Sequence, residues 1–253
     1  MSRDKALLQG KRIVVLGASR GVGREIVQRA LAEGAQVLAV ARQERGLAEL
    51  AKSTHGIETL ALDAAAEAAP GEVFRKMRPD LLVICGGATP PVRPIPELTW
   101  AEFDVNWQVD TKMAFLFCRE ALREPLAPGS VIVIISSGAA LGGSPISGGY
   151  AGAKRMQMFI AKYCQAESDR RGLGIRFLAL APSRIMPETD LGQIAVNGYA
   201  QYLGVAAEKF LENMGPRQSP ANVAEAVLDM AKNPPAEPGS IFTVSPDGMA
   251  AVS

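Results

Sequence analysis

Three side chains that could carry out acid–base chemistry on a hydroxyl or carbonyl group lie near one another in the sequence. Tyr150 and Lys154 are four residues apart, so a helix places the phenol and the ammonium on one face. A free tyrosine ionises at about pH 10, but a neighbouring ammonium favours the phenolate, which suits a general acid/base. Ser137 precedes Tyr150 by thirteen residues and follows an apolar run. A Tyr-x-x-x-Lys pair alone also occurs on amphipathic helices without catalytic function.

A glycine-rich turn near the amino terminus indicates the framework that could position these side chains. The apolar run Ile13–Leu16 is followed by Gly17, Gly21 and Gly23, and then by a helical pattern that ends at Gly34. Strand, turn and helix in this order can hold a pyrophosphate, because backbone N–H groups and the positive end of the helix dipole face the anion. In the alternative interpretation, the glycines serve only a tight turn.

Strand-like and helix-like segments alternate along the chain, which predicts a doubly wound α/β fold. We expect a Rossmann fold, with a parallel sheet of about seven strands and helices on both faces, forming a single domain over residues 1–253. The predicted strands are 13–16, 36–41, 57–62, 80–84, 130–135, 175–180 and 240–244. The predicted helices are 24–33, 44–53, 72–77, 99–123, 150–171 and 220–232. Ligands bind beyond the carboxyl ends of such strands, so Ser137 and a bound dinucleotide would share one crevice.

The end of the second predicted strand bears on the choice of cofactor. A carboxylate there binds the ribose 2′-hydroxyl of NAD, whereas an arginine accommodates the 2′-phosphate of NADP. Here Arg42 follows the strand, no acid occurs before Glu44, and Arg20 lies in the glycine turn. Two guanidinium groups can bind a phosphate, so the sequence predicts NADP(H) in preference to NAD(H). Alternatively, Arg42 is an ordinary solvated surface residue.

Composition and charge disfavour several other classes of protein. The chain has 27 basic and 26 acidic residues without a long run of either, which argues against nucleic acid and anionic membranes as partners. No signal-peptide pattern and no stretch of about 18 apolar residues occurs, so we expect a cytoplasmic protein. Cys85, Cys118 and Cys164 are far apart and are expected to be reduced. With His55 as the only histidine, we predict no metal site.

The glycine turn, Arg42 and the series Ser137, Tyr150 and Lys154 together resemble, in order and spacing, the short-chain dehydrogenase/reductase family over nearly all of the chain. The resemblance implies that Tyr150 gives or takes the hydroxyl proton and that Ser137 holds the substrate oxygen. Lys154 would bind the nicotinamide ribose and favour the phenolate, while hydride passes between the nicotinamide and a carbonyl or secondary alcohol carbon. The implied cofactor-binding residues are Gly17, Ser19, Arg20, Gly21, Val22, Gly23, Arg42, Asp63, Cys85, Gly86, Tyr150, Lys154, Pro182 and Ile185.

The sequence departs from the family's pattern within the implied site. Cys85-Gly86-Gly87 stands where Asn-Ala-Gly is usual, so small residues are kept and only a polar side chain is lost. Asp110 falls where an asparagine usually completes the proton relay of the catalytic residues. An aspartate can still organise water near Lys154, but it adds a negative charge.

Further departures follow the sixth predicted strand. Pro182-Ser183 replaces the usual Pro-Gly, and Pro187 stands where a threonine usually lies near the pyrophosphate, although Thr189 follows. Ile185 keeps the position whose backbone holds the carboxamide. Asp63 matches an adenine contact of the family, with a strand-end cap as the alternative.

Residues 183–216 correspond, by the same resemblance, to a mobile lid that selects the substrate. The segment carries many apolar residues and few charges, which suggests an apolar or aromatic substrate pocket. Packing of the lid onto the domain is the alternative explanation. In the family, the helices that begin near Thr99 and Tyr150 pair between subunits, so we expect a homo-oligomer, a tetramer rather than a dimer.

Two functions remain open at this point. The first is an NADP(H)-dependent oxidoreductase, and the second is a catalytically faded NADP(H)-binding regulatory protein of the same fold. Asp110, Ser183 and the sequence Ser245–Gly248, where the family has Asp-Gly-Gly, motivate the second. A dehydratase or epimerase is a third interpretation, although the chain is short for a separate sugar-binding region.

Overall fold

An eight-stranded sheet runs through the part of the chain that the computed structural model describes, residues 8–235 and 241–252. The strands are β1 (Arg12–Leu16), β2 (Gln36–Ala41), β3 (Glu58–Ala61), β4 (Leu81–Ile84), β5 (Val131–Ile135), β6 (Arg176–Pro182), β7 (Ile241–Ser245) and β8 (Gly248–Ala251). Their order is β3-β2-β1-β4-β5-β6-β7-β8, and β1 to β7 are parallel. The sequence analysis predicted about seven parallel strands. The additional strand β8 is antiparallel to β7 and exposed, so no apolar run marked it.

Helices cover both faces of the sheet, as the predicted doubly wound fold requires. They are α1 (Gly21–Ala32), α2 (Glu44–Ser53), α3 (Ala69–Lys76), α4 (Trp100–Asn106), α5 (Lys112–Arg123), α6 (Ala139–Gly142), α7 (Gly148–Arg170), α8 (Asp190–Leu203), α9 (Ala207–Asn213) and α10 (Pro220–Lys232). One core cluster packs α1, α2 and α10 on the sheet, and the other packs α3, α5 and α7 on the opposite face. Residues of β1 alternate between them: Ile13 and Val15 face the first cluster, and Val14 and Leu16 face the second. Burial on both faces explains why the inner parallel strands, such as β1, β4 and β5, contain continuous apolar runs, whereas the edge strand β3 does not.

The strand order reverses between β1 and β4, which pair side by side. The chain moves outward from β1 through β2 to β3 and then returns across β1 to β4, so the connections leave a crevice beyond the carboxyl ends of β1 and β4. Open α/β sheets bind their ligands at such a reversal. The glycine turn follows β1 directly, and Cys85 follows β4.

The predicted helix over residues 99–123 is confirmed as an unbroken helical segment from Trp100 to Arg123, although it is not α-helical throughout. Thr99 caps α4 through its hydroxyl and, with Glu102, forms a capping box, and α4 ends at Asn106. A π-helical turn, Trp107–Thr111, joins α4 to α5, and its hydrogen bond from the Lys112 N–H reaches the carbonyl of Trp107. A π turn inserts one residue into an otherwise continuous helix and leaves little trace in the apolar spacing.

Residues 183–216, which interrupt the alternation of strands and helices, contain α8 and α9. Thr189 begins α8 by accepting a hydrogen bond from the Gly192 N–H, and Gly204 ends it in the left-handed conformation at φ +68°. Among the described residues, we find no helix whose length and apolar content would carry it across a membrane.

Candidate active site

The glycine turn forms a cradle that side chains would fill. Gly17 has φ +77°, and a Cβ atom there would lie 2.5 Å from the Cα of Gly86, so neither the conformation nor the space suits another residue. A Cβ atom on Gly23 would collide with the carbonyl oxygen of Gly17. The N-terminus of α1 therefore opens onto bare backbone beside the ends of β1 and β4. This arrangement fits the pyrophosphate of a dinucleotide, because N–H groups and the helix dipole favour an anion there.

A cavity of about 830 Å³ extends from this cradle across the carboxyl ends of the strands. It brings together nearly all of the site residues that the sequence analysis singled out. Those that line it are Gly17, Ser19, Arg20, Gly21, Val22, Arg42, Asp63, Cys85, Gly86, Asp110, Ser137, Tyr150, Lys154, Pro182 and Ile185. Gly23 does not line the cavity; its N–H acts to lower the pKa of the Cys85 thiol.

Arg20 and Arg42 both line the cavity, but their guanidinium groups have different surroundings. Arg42 is exposed directly after β2. Arg20 is also exposed, but its Nη1 lies 2.7 Å from Oδ2 of Asp190, the first residue of α8. Asp63 accepts a hydrogen bond from the N–H of Ala65 at 3.0 Å, which is the strand-end cap considered as the alternative for this residue. The carboxylate of Asp63 nevertheless lines the same cavity.

Tyr150 and Lys154 lie on one face of α7, as their spacing predicted. The Nζ atom of Lys154 is 5.7 Å from the centre of the Tyr150 ring. Ser137 follows β5, and its Oγ accepts a hydrogen bond from the Ala139 N–H at the start of α6. The three side chains line the same cavity of about 830 Å³.

Lys154 is buried, and its ammonium has two oxygen partners. Its Nζ lies 3.2 Å from Oδ2 of Asp110 and donates to the carbonyl of Ile135 at 3.2 Å. Burial by itself would lower the pKa of Lys154, but the negative charge of Asp110 and the nearby Tyr150 and Cys85 outweigh it, and the net pKa is raised. The lysine therefore stays an ammonium over the whole neutral range.

The Cys85 thiol stays protonated despite this ammonium. Burial raises its pKa to about 11, and the opposing effects of Lys154 and of the Gly23 N–H are smaller. Cys85 therefore lines the cavity with a small, uncharged side chain. This is consistent with the loss of only a polar side chain at this position.

Asp110 lies in the π turn and points its carboxylate into the interior, where the residue is 1% exposed. Its Oδ1 accepts hydrogen bonds from the Ala88 N–H at 2.8 Å and from Nδ2 of Asn106 at 3.3 Å. A Cβ atom on Gly87 would lie 2.6 Å from Oδ2, so the glycine leaves the space that the carboxylate occupies. Asp110 thus forms a direct ion pair with Lys154 where the sequence analysis considered an organised water.

Two residues of this site were missed by the sequence analysis. Asn106 and Gln157 are both fully buried, and both contact Asp110. A signal was present for each: Asn106 stands one helical turn before Asp110, and Gln157 stands three residues after Lys154 among apolar residues. An uncharged amide in a helix has no distinctive spacing, which is why neither stood out.

The start of α8 closes the site above the glycine turn. Thr189 lies against Gly21, where an added Cβ would be 3.7 Å from the threonine methyl group. Its hydroxyl caps α8. Thr189 thus lies beside the glycine turn, two residues after the position at which Pro187 replaces the usual threonine. Ser183 packs on the loop after β5, since a Cβ on Gly138 would lie 3.1 Å from its Cα.

Known proteins of one family share this sequence and fold. A family model described as short chain dehydrogenase matches residues 11–196. L-xylulose reductase of Bos taurus is 30% identical over 190 residues, which are 74% of this chain and 76% of that protein. The match to L-xylulose reductase of Homo sapiens is also 30% identical, but covers 51% of this chain and 54% of that protein.

A solved structure shows the same fold. The 3-ketoacyl-(acyl-carrier-protein) reductase from Brucella melitensis, in complex with NADH, superposes with a TM-score of 0.73 at 23% identity, covering 88% of this chain and 91% of that one. The family match spans the glycine turn, Asp110, Ser137, Tyr150 and Lys154. The chain therefore belongs to the short-chain dehydrogenase family and is an NAD(P)-dependent oxidoreductase acting on CH–OH or C=O groups.

Proposed function

We propose that the protein transfers a hydride between NADP(H) and a ketone or secondary alcohol, with Tyr150 as the general acid/base. The observation that carries this proposal is that Tyr150, Lys154 and Ser137 face the same cavity as the glycine cradle. A protein that only bound the dinucleotide would have no need of these three side chains in one place.

A nicotinamide held in this cavity would supply or receive the hydride at the substrate carbon. Tyr150 donates a proton to the substrate oxygen during reduction and accepts it during oxidation. Ser137 donates a hydrogen bond to the same oxygen, and Lys154 holds its positive charge near the phenol of Tyr150. Asp110 compensates part of that charge.

Arg42 supports the preference for NADP(H). It stands at the end of β2 with its guanidinium exposed, and within the described residues it forms no ion pair. Arg20, by contrast, has the carboxylate of Asp190 as its partner. Arg42 is therefore the guanidinium that can bind a 2′-phosphate. No carboxylate follows β2 directly, so no acidic side chain is placed to bind a 2′-hydroxyl.

The segment 183–216 is proposed as the substrate lid of a single domain spanning residues 1–253. Ile194, Tyr199 and Phe210 line the cavity, and the rings of Tyr199 and Phe210 are stacked with their centres 5.7 Å apart. These side chains support an apolar or aromatic carbonyl compound as the substrate. They also pack α8 against α9, so the alternative function of holding the lid together applies to the same residues.

We further infer that the protein is a cytoplasmic homo-oligomer, a tetramer rather than a dimer. Trp107, Phe115 and Tyr163 are 40%, 49% and 61% exposed on the π turn, α5 and α7. These are the helices that the family resemblance places between subunits. Large apolar side chains exposed together favour an interface.

The first test is a fluorescence titration with NADPH and with NADH for the wild type, Arg42→Ala and Arg45→Ala. Arg45 is a matched control, because it is an exposed arginine three residues away that pairs with Glu49 at 3.0 Å on its own helix. We expect NADPH to bind more tightly than NADH, and this preference to be lost in Arg42→Ala alone. Equal preference in Arg42→Ala and wild type would refute the assigned function of Arg42.

A second test separates the enzyme from the faded regulatory protein. Wild type and Tyr150→Phe are assayed with NADPH and a panel of apolar and aromatic ketones. We expect turnover in the wild type and a loss of about 10²- to 10⁴-fold in Tyr150→Phe, with NADPH binding retained. NADPH binding without turnover that depends on Tyr150 would favour the regulatory protein.

A further inference from the structure

A cluster of buried polar side chains lies where the end of α4 and the π turn pack against α7. Its members Asn106, Asp110, Lys154 and Gln157 are at most 5% exposed. A buried polar group is costly unless it is hydrogen-bonded, so this cluster needs a reason for its place in the core. Asp110 and Lys154 have been discussed above, whereas Asn106 and Gln157 have no function so far.

Asn106 holds the side chain of Asp110. Its Nδ2 donates to the carbonyl of Ala88 at 2.9 Å and to Oδ1 of Asp110 at 3.3 Å. The Ala88 N–H donates to the same Oδ1 at 2.8 Å. With Oδ1 held by two donors, the other carboxylate oxygen, Oδ2, is turned toward Lys154.

Gln157 holds the backbone of Asp110. Its Nε2 donates to the carbonyl of Asp110 at 2.9 Å across the interface between α7 and the π turn. Its own Oε1 is buried and accepts no hydrogen bond within the described residues. The same is true of Oδ1 of Asn106. Each amide therefore leaves one acceptor unpaired in the interior, a cost that an apolar residue of similar size would avoid.

We propose that Asn106 and Gln157 are positioning residues that fix Asp110 from two sides, by its carboxylate and by its carbonyl, so that it pairs directly with Lys154. This inference rests on the proposed function, since Lys154 acts through Tyr150. The direct pair sets how much positive charge the phenol of Tyr150 experiences. The two amides thereby adjust the pH range in which Tyr150 exchanges its proton.

The groups that face Lys154 come from three elements. Asp110 approaches from the π turn, Tyr150 from the same helix α7, and Cys85 from the end of β4. Cys85 stays neutral because burial raises its pKa to about 11. Asp110 is thus the carboxylate that opposes the ammonium among these groups. Movement of its side chain leaves more uncompensated positive charge beside Tyr150, which favours the phenolate at lower pH.

The test compares Gln157→Met and Asn106→Ala with the wild type and with Gln165→Met. Methionine keeps the length and volume of glutamine without its amide. Gln165 is a matched control, because it is also buried on α7 and hydrogen-bonded, to Asp169 at 2.8 Å and to the Phe177 N–H at 2.8 Å, two turns away from the site. For each variant we measure kcat and KM against pH and the thermal midpoint.

A second readout does not require turnover. The ultraviolet absorbance of tyrosinate is titrated in each variant and in the same variant carrying Tyr150→Phe, and the difference follows Tyr150 alone. This measurement keeps the two proposals distinguishable. If the wild type has no activity, the proposed function fails, whereas the positioning of Asp110 is still decided by the absorbance titration.

We expect both positioning variants to move the kcat profile and the tyrosinate titration to lower pH by about one unit, with KM nearly unchanged. Gln165→Met should lower the thermal midpoint without moving either curve. In an Asp110→Asn background, Gln157→Met should add no further shift, since the two changes act through one interaction. Curves that coincide with the wild type in both variants, an equal shift in Gln165→Met, or an additive shift in the double variant would each overturn the inference.

Discussion

The substitution Asp110→Asn tests most directly how the buried ion pair controls the acid–base chemistry. Asparagine has nearly the shape of aspartate, and its oxygen can still accept the Ala88 N–H that binds Oδ1 at 2.8 Å. The change therefore keeps the volume of the side chain and removes the negative charge, and the amide NH2 takes the place of Oδ2 beside Lys154. We expect the enzyme to remain active, with its pH–rate profile moved to lower pH because the phenolate of Tyr150 is favoured by the uncompensated ammonium.

The size of the shift follows from the positions of the charges. Oδ2 of Asp110 is 3.2 Å from Nζ of Lys154, which in turn is 5.7 Å from the Tyr150 ring centre. These distances put the carboxylate within about 9 Å of the ring centre, where, at an effective dielectric constant of about 20, one unit charge is worth roughly 2 kcal/mol, or somewhat more than one pH unit. Breaking a buried pair also destabilises a protein, and we expect no more than about 3 kcal/mol because an acceptor for Lys154 remains.

The direction of the pKa shift of Lys154 shows that deprotonation of this lysine does not affect the pH–rate profile near neutral pH. Its folded pKa is raised, so the stability that it contributes is fully present below the unfolded value of about 10.4 and is lost only as the pH rises through the folded value. A shift of the profile below this range therefore does not come from Lys154 itself. The assay is kcat against pH with NADPH and an active ketone, together with the thermal midpoint at pH 7.

A profile of Asp110→Asn that coincides with that of the wild type would refute this reasoning, since the carboxylate would then not influence the phenol. A shift to higher pH would refute it as well. Loss of all activity with NADPH binding intact would mean that the carboxylate is required for the proton transfer itself.

Three further predictions concern the framework of the site. Gly23→Ala should lower the free energy of unfolding by about 1–3 kcal/mol and the NADPH affinity at least ten-fold, because the new Cβ collides with the glycine turn. Gly71→Ala is the control, since Gly71 is helical and an added Cβ there meets nothing within 4 Å. Unfolding and binding assays on this control should show unchanged NADPH affinity and equal or higher stability. Burial would raise the pKa of Asp80, but the hydrogen bonds that it accepts from Arg12 outweigh this effect and lower the pKa. Asp80→Asn should therefore lower the free energy of unfolding by less than about 1 kcal/mol at neutral pH, and by nothing once the pH has fallen through the folded pKa of Asp80. Urea unfolding measured against pH tests this prediction. Thr189→Val keeps the shape of the residue but removes the cap of α8, so the thermal midpoint should fall by the equivalent of about 1 kcal/mol, and an unchanged midpoint would contradict the capping function.

Much of the fold could be predicted from the sequence because its signals are local. The apolar runs of β1, β4 and β5, the helical spacing of α1 and the glycine turn each report on a segment of a few residues, and the doubly wound fold and the family are confirmed. The spacing of Tyr150 and Lys154 likewise placed both on one helix face. The preference for NADP(H), the catalytic function of Ser137 and the oligomeric state stay predictions.

The tertiary structure decided the features that depend on residues far apart in the chain. Whether Asp110 holds a water or pairs with Lys154 depends on a π turn and on space beside Gly87, and neither has a local pattern. Asp190 lies 170 residues from its partner Arg20, and Gln157 lies 47 residues from the carbonyl that it binds. Local propensity and periodicity thus determined the elements and placed Tyr150 and Lys154 on one helix face. Packing between the elements determined the charge around Tyr150, because electrostatic interactions depend on distance and burial in space and not on separation along the chain.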